Sequence, residues 1–157
     1  MSPAFPVLDQ PVELVLHIGT GKTGTTSLQH MLKENRARIA ELGTLVPRSL
    51  GRTRHTRLGL AMRSGADLES QVSWHRQEAA SPAQFRRRVL RRLSAEIEQS
   101  GAERVLVTDE ALYGMPVDAM RRLRRLTDGL ARRTRVVVYL RRQDDHLASR
   151  YQQVVKT

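Results

Sequence analysis

A single lysine, Lys22, stands inside a glycine-rich turn, Gly19-Thr-Gly-Lys-Thr-Gly24, and three hydroxyl residues, Thr25, Thr26 and Ser27, follow at once. That set suits a phosphate-like anion. Glycines let the backbone approach closely, the lysine adds a full charge, and a helix start supplies unpartnered N–H groups and the positive end of its dipole. The other groups able to do chemistry lie far along the chain. Asp109 and Glu110 are adjacent carboxylates, suited to taking a proton or ordering a cation. Arg141 and Arg142 offer guanidinium forks. His17, His55, His75 and His146 show no metal-ligand spacing, and a chain without cysteine has neither disulfides nor thiolate metal sites.

These residues need a scaffold that gathers them. Residues 12–18 are an apolar, β-branched run that reads as a buried parallel strand. A helix is expected over 25–42, stopped by Gly43. Residues 44–65 contain Pro47, Gly51, Gly59 and Gly65 and read as an irregular, flexible loop carrying His55. Residues 66–80 fit no clear pattern, and Trp74 is their only large anchor. Ser81-Pro82 is a cap and first-turn pair, after which Phe85, Val89, Leu93 and Ile97 recur every four residues up to Gly101. Residues 104–108 form a short strand, and 116–132 a helix with Met120, Leu123 and Leu130 inward. Residues 135–140 are a third strand, and a last helix opens near Asp144 with Leu147, Tyr151, Val154 and Val155. Residues 1–11, with three prolines, read as a flexible tail, and 12–157 as one domain.

Strands alternating with helices imply an α/β fold with a parallel sheet and right-handed crossovers. Ligands of such sheets sit at the carboxyl ends of the strands. The glycine loop, Asp109-Glu110 and Arg141-Arg142 each follow a strand, so all three are expected on one edge.

The formal net charge of +11 invites a nucleic-acid reading. Only three basic residues are lysines, however, and arginine rises together with alanine, which points to coding bias. The arginine runs 86–88, 91–92, 121–122 and 124–125 fall on polar helix faces and read as solvated surface. With 4% aromatic residues, platforms for stacking single-stranded bases are not expected. No stretch has the apolar length of a transmembrane helix, and the first residues lack the build of a signal peptide. A cytoplasmic protein without a nucleic-acid partner is the expectation.

Two anions compete for the loop. Gly21-Lys22-Thr23 ends like the triphosphate loop G-x-x-x-x-G-K-[ST], and residues 105–110 form an apolar run closing on a carboxylate pair, as in nucleotide kinases and ATPases. Position 16, where that pattern requires glycine, is Leu16. The stretch from His17 to Gln29 instead closely resembles the 5′-phosphosulfate loop of the sulfotransferases that use 3′-phosphoadenosine 5′-phosphosulfate (PAPS). Lys22, Thr23, Gly24, Thr25 and Thr26 match the family's lysine, serine or threonine, glycine and two threonines, and Gly21 stands where bacterial members often have proline. Residues 136–153 resemble the family's 3′-phosphate site, an arginine ending a strand and a serine eight positions later, here Arg141 and Ser149.

The resemblance implies a P-loop-containing, three-layer α/β/α sheet and a sulfuryl transfer from PAPS to a hydroxyl acceptor (a carbohydrate, lipid or small molecule), without a metal. It implies that Lys22 stabilises charge on the leaving phosphate oxygen and that Gly21, Lys22, Thr23, Gly24, Thr25, Thr26 and Ser27 hold the 5′ end. Arg141 and Ser149 would hold the 3′-phosphate, with Arg142 the rival of Arg141. Glu110, past a strand on the ligand edge, is the candidate base; it is equally suited to capping a turn. His55 is the second candidate base, and Asp109 is placed to orient Lys22 or an arginine. Family members continue past this point with further helices and a basic loop, so the domain is expected to be incomplete at its C-terminus. Its sheet edge would then await a second copy or a further segment. An arginine-rich, non-catalytic binding module is the third reading.

Overall fold

The computed structural model describes residues 5–21, 23–79, 81–140 and 142–155. Its sheet is built on β1 (Val12–His17), whose inward residues Val12, Leu14 and Leu16 are buried. β1 pairs in parallel with β3 (Arg104–Thr108) on one side and β4 (Ala131–Val137) on the other. A two-residue strand, β2 (Thr44–Leu45), extends the β3 side, giving the order β2–β3–β1–β4. His17 stands opposite both Thr108 and Val137, so β1, β3 and β4 end side by side at their carboxyl ends. Beneath that edge, Glu13 ties the three strands through Arg104 at 3.3 Å and Arg135 at 2.9 Å.

The helix expected over 25–42 is two helices, α1 (Thr25–Glu34) and α2 (Arg36–Glu41). Asn35 lies between them, and its side-chain amide donates to the Met31 carbonyl at 2.8 Å. Asparagine competes in this way for helical carbonyls and favours a break. The break frees Arg36 to donate to the carbonyls of Val46 at 3.2 Å and Arg52 at 2.9 Å.

Those bonds help correct the expected loop at 44–65. It contains β2 and the buried helix α3 (Thr56–Met62), and Gly65 opens α4 (Gly65–Glu69). Leu58, Leu60, Ala61 and Met62 of α3 belong to the core. Trp74, in the unassigned stretch, packs edge to face on Phe85, with ring centroids 5.3 Å apart.

The helix α5 (Pro82–Ser100) forms as its sequence demands. The Ser81 hydroxyl accepts from the Gln84 N–H at 3.2 Å, and Phe85, Val89, Leu93 and Ile97 are buried. Burying each such side chain contributes roughly 1.5–3 kcal/mol before entropy is counted. In α6 (Val117–Leu130), Leu123 and Leu130 are inward as expected, but Met120 is exposed and Leu126 takes its place. The arc of α6 facing α3 and the sheet runs through 119, 123, 126, 127 and 130, so residue 120 falls at its margin.

The last strand is also shifted. β4 starts at Ala131, directly after α6, and Val138, Tyr139 and Leu140 lie beyond its end. The ladder with β1 sets these limits: once His17 has paired with Val137, β1 offers no further partner. Residues 132–136 are exposed because β4 is an edge strand. α7 (Gln143–Val155) follows. The expected flexible tail is anchored at Leu8, which is buried and donates its N–H to the Gly129 carbonyl at 3.1 Å. Among the described residues no helix is long and apolar enough to cross a membrane.

Candidate functional site

The glycine loop leaves β1 and enters α1 at the sheet's carboxyl edge. Gly24 is the N-cap, with φ 80° in the left-handed region that favours glycine, and the cap supplies no side-chain hydrogen bond to the first turn. The opening N–H groups of α1 therefore keep their anion-binding capacity. Gly19 lets the loop lie flat on the helix, because a Cβ there would overlap the Thr25 methyl group.

The hydroxyls divide into two sets. Thr23 donates to the Thr20 carbonyl at 2.7 Å and Thr25 donates to Glu110 Oε1, so both are turned inward. Thr26 and Ser27 are exposed. Thr25 as a whole is buried, while Thr26 and Ser27 present their hydroxyls to solvent. Gly21 and Gly24 are exposed, and among the described residues no atom beyond their chain neighbours lies within 4 Å of a Cβ built on either. Lys22 and Arg141 lie outside the described residues, as does the side chain of Ser149.

Asp109 and Glu110 follow β3 and begin a 3₁₀ turn (Glu110–Leu112). They take different roles. Asp109 is the cap: it is fully buried, its Oδ1 accepts from the Ala111 N–H at 3.2 Å, and the same oxygen receives Arg54 at 2.7 Å. The arginine that Asp109 orients is therefore Arg54, whose charge is held in turn above its usual range by that bond against the pull of burial. Glu110, half-buried, is released from capping and meets Thr25 across the loop.

Behind these groups lies a polar cluster that the sequence did not single out. His17 Nδ1 is 2.8 Å from the Thr108 hydroxyl, which also accepts from Gln29 at 3.4 Å. The His17 ring stands edge-on to Tyr139 at 4.8 Å, and burial lowers its pKa while the charge of Glu110 opposes the shift. His55 is corrected as a candidate base. It is the buried residue before α3, not part of a mobile loop, and its Nδ1 accepts from the Thr108 N–H at 3.0 Å. Burial and the nearby Arg36 push its pKa down to about 4, so it is a neutral structural histidine near pH 7.

The structure thus brings the glycine loop, Glu110 and the start of α7 to one edge and keeps His55 beneath it. Arg142 is engaged locally, donating to Asp144 at 2.7 Å in solvent. Arg54 and Gln29 were not legible as site residues. Arg54 sits in an aperiodic segment, and the one trace of Gln29 is its helical spacing from Thr25. Comparison with known families, curated proteins and solved structures yields no match for this chain.

Proposed function

We propose that the chain binds PAPS at this edge and transfers its sulfuryl group to a hydroxyl acceptor. The observation that carries the reading is the uncapped α1 start, opened by Gly24 and lying against Glu110 through Thr25. An anion-binding backbone and a carboxylate are thereby neighbours, as donor and base must be for in-line displacement. The triphosphate alternative is disfavoured by Leu16. It is a buried residue inside β1, paired with Val107 and Val136, where the glycine of a triphosphate loop would be needed.

In this reading the N–H groups from Thr23 to Ser27 and the Thr26 and Ser27 hydroxyls hold the 5′-phosphate. Lys22 stabilises the leaving phosphate oxygen, and Arg141 with Ser149 binds the 3′-phosphate. The sulfur–oxygen bond to the phosphate breaks as the bond to the acceptor oxygen forms. The acceptor's proton passes to Glu110. A positioned base is worth roughly 10²–10⁴-fold in rate, which sets the loss expected for Glu110→Gln.

Thermal denaturation tests the reading before any acceptor is known. Adenosine 3′,5′-bisphosphate without magnesium should raise the melting temperature, and Lys22→Ala and Arg141→Ala should each abolish the rise. A larger rise with ATP and magnesium would instead favour a nucleotide kinase or ATPase.

A further inference from the structure

A second concave site is formed by α3, α5 and the segment that precedes α5. Arg57 from α3, Arg76 from the segment between α4 and α5, and Arg88 and Arg92 from α5 line a pocket of about 350 Å³. Glu78 is its one carboxylate. None of the four arginines makes an ion pair with a carboxylate among the described residues. Two are fixed by neutral groups: Arg57 donates to the Ser49 carbonyl at 3.2 Å, and Arg88 to the Glu78 carbonyl at 2.9 Å. Arg88 also lies over the Phe85 ring at 6.0 Å. Ser49 belongs to the same lining, and its hydroxyl is buried without a partner among the described residues. Like charges gathered around one concavity repel each other unless an anion occupies it.

We infer that this pocket binds the sulfate or carboxylate groups of an acidic saccharide chain. Guanidinium forks match such groups two bonds at a time. The one aromatic ring on the lining, Phe85, is 1% exposed beneath Arg88, so no ring is open to stack a nucleobase. One short segment of the chain links the pocket to the proposed site. Arg57 lies three residues from Arg54, which Asp109 holds beside Glu110, and His55 between them bonds the end of β3. In the sulfuryl-transfer reading the pocket would serve as an acceptor subsite linked to Glu110 by this segment. The role as acceptor subsite rests on the sulfuryl-transfer reading; the binding itself does not.

Arg76 and Arg92 are exposed, with no hydrogen bond or ion pair among the described residues, so their reversal leaves the fold intact. Binding of a fluorescent heparin oligosaccharide should weaken at least about tenfold in Arg76→Glu/Arg92→Glu. The same charge change in Arg38→Glu/Arg125→Glu, on α2 and α6, should cost less than about twofold after correction for salt. Melting temperatures of both variants verify folding. Equal losses in the two variants would overturn the site in favour of diffuse charge attraction. Tighter binding of single-stranded DNA, lost at Arg76 and Arg92, would overturn the saccharide assignment. If adenosine 3′,5′-bisphosphate causes no thermal shift while the heparin result holds, the pocket stands and its acceptor role falls.

Discussion

On the β3 side of β1 the strand-end residues are buried and bonded to each other, whereas on the β4 side they stand in solvent. Thr108 is held through its N–H, its carbonyl and its hydroxyl, by His55 and by His17 with Gln29. Asp109 and Glu110 are each fixed from another segment, by Arg54 and Thr25. Beyond β4, Leu140 is 73% exposed, Leu147 71% and Tyr151 70%, and among the described residues Arg142 pairs with Asp144 and Asp145 of the helix that follows it. Exposed pairs of that kind contribute about 0–1 kcal/mol. The difference teaches that the sulfuryl-donor half of the proposed site is preorganised by the core. On the other flank the described residues make no comparable contacts with the core. Preorganisation is what electrostatic catalysis requires, and the proposed base Glu110 sits on the ordered side.

The sharpest contrast should appear in pH. His55 has its folded pKa near 4 against 6.5 in the open chain, so the unfolded state binds more protons between those values. Stability is then fully present above pH 6.5 and falls as pH drops toward 4, by about 3 kcal/mol for this group. Urea denaturation across that window should show the slope flattened in His55→Gln. An unchanged slope would mean that the histidine is not buried neutral.

Next in size is Asp109→Ala, which strips Arg54 of its partner and the 3₁₀ turn of its cap. Because Arg54 is 44% exposed, the loss should be about 2–3 kcal/mol, below that of a fully buried pair. Thr25→Val should cost about 1 kcal/mol by leaving the Glu110 carboxylate without its hydroxyl donor. The nucleotide-induced thermal shift should survive in that variant, since the main chain at residue 25 is unchanged; its disappearance would reassign the Thr25 hydroxyl to the ligand. The smallest effect belongs to the other flank. Leu147→Ser and Tyr151→Ser should change stability by no more than about 0.5 kcal/mol. A loss several times larger would show that this flank is covered in solution, and sedimentation of the wild type would then reveal the covering copy.

What the sequence settles by itself is what short-range chemistry can encode. Period and capping residues specify α5 between Ser81-Pro82 and Gly101, apolar runs specify β1 and β3, and Gly24 with its flanking threonines specifies the turn into α1. Each signal lies within a few residues of the element it makes. Tertiary structure alone decides the rest. β2 exists because it pairs with β3, and α3 is ordered in part because Arg36 holds carbonyls at 46 and 52 while Leu58 and Met62 fill the core. The choice between Asp109 as cap and Glu110 as open carboxylate depends on Arg54 and Thr25, which approach from 55 and 85 residues away in the chain. Such choices turn on which distant donor arrives at a strand end, and no local pattern of residues encodes that arrival.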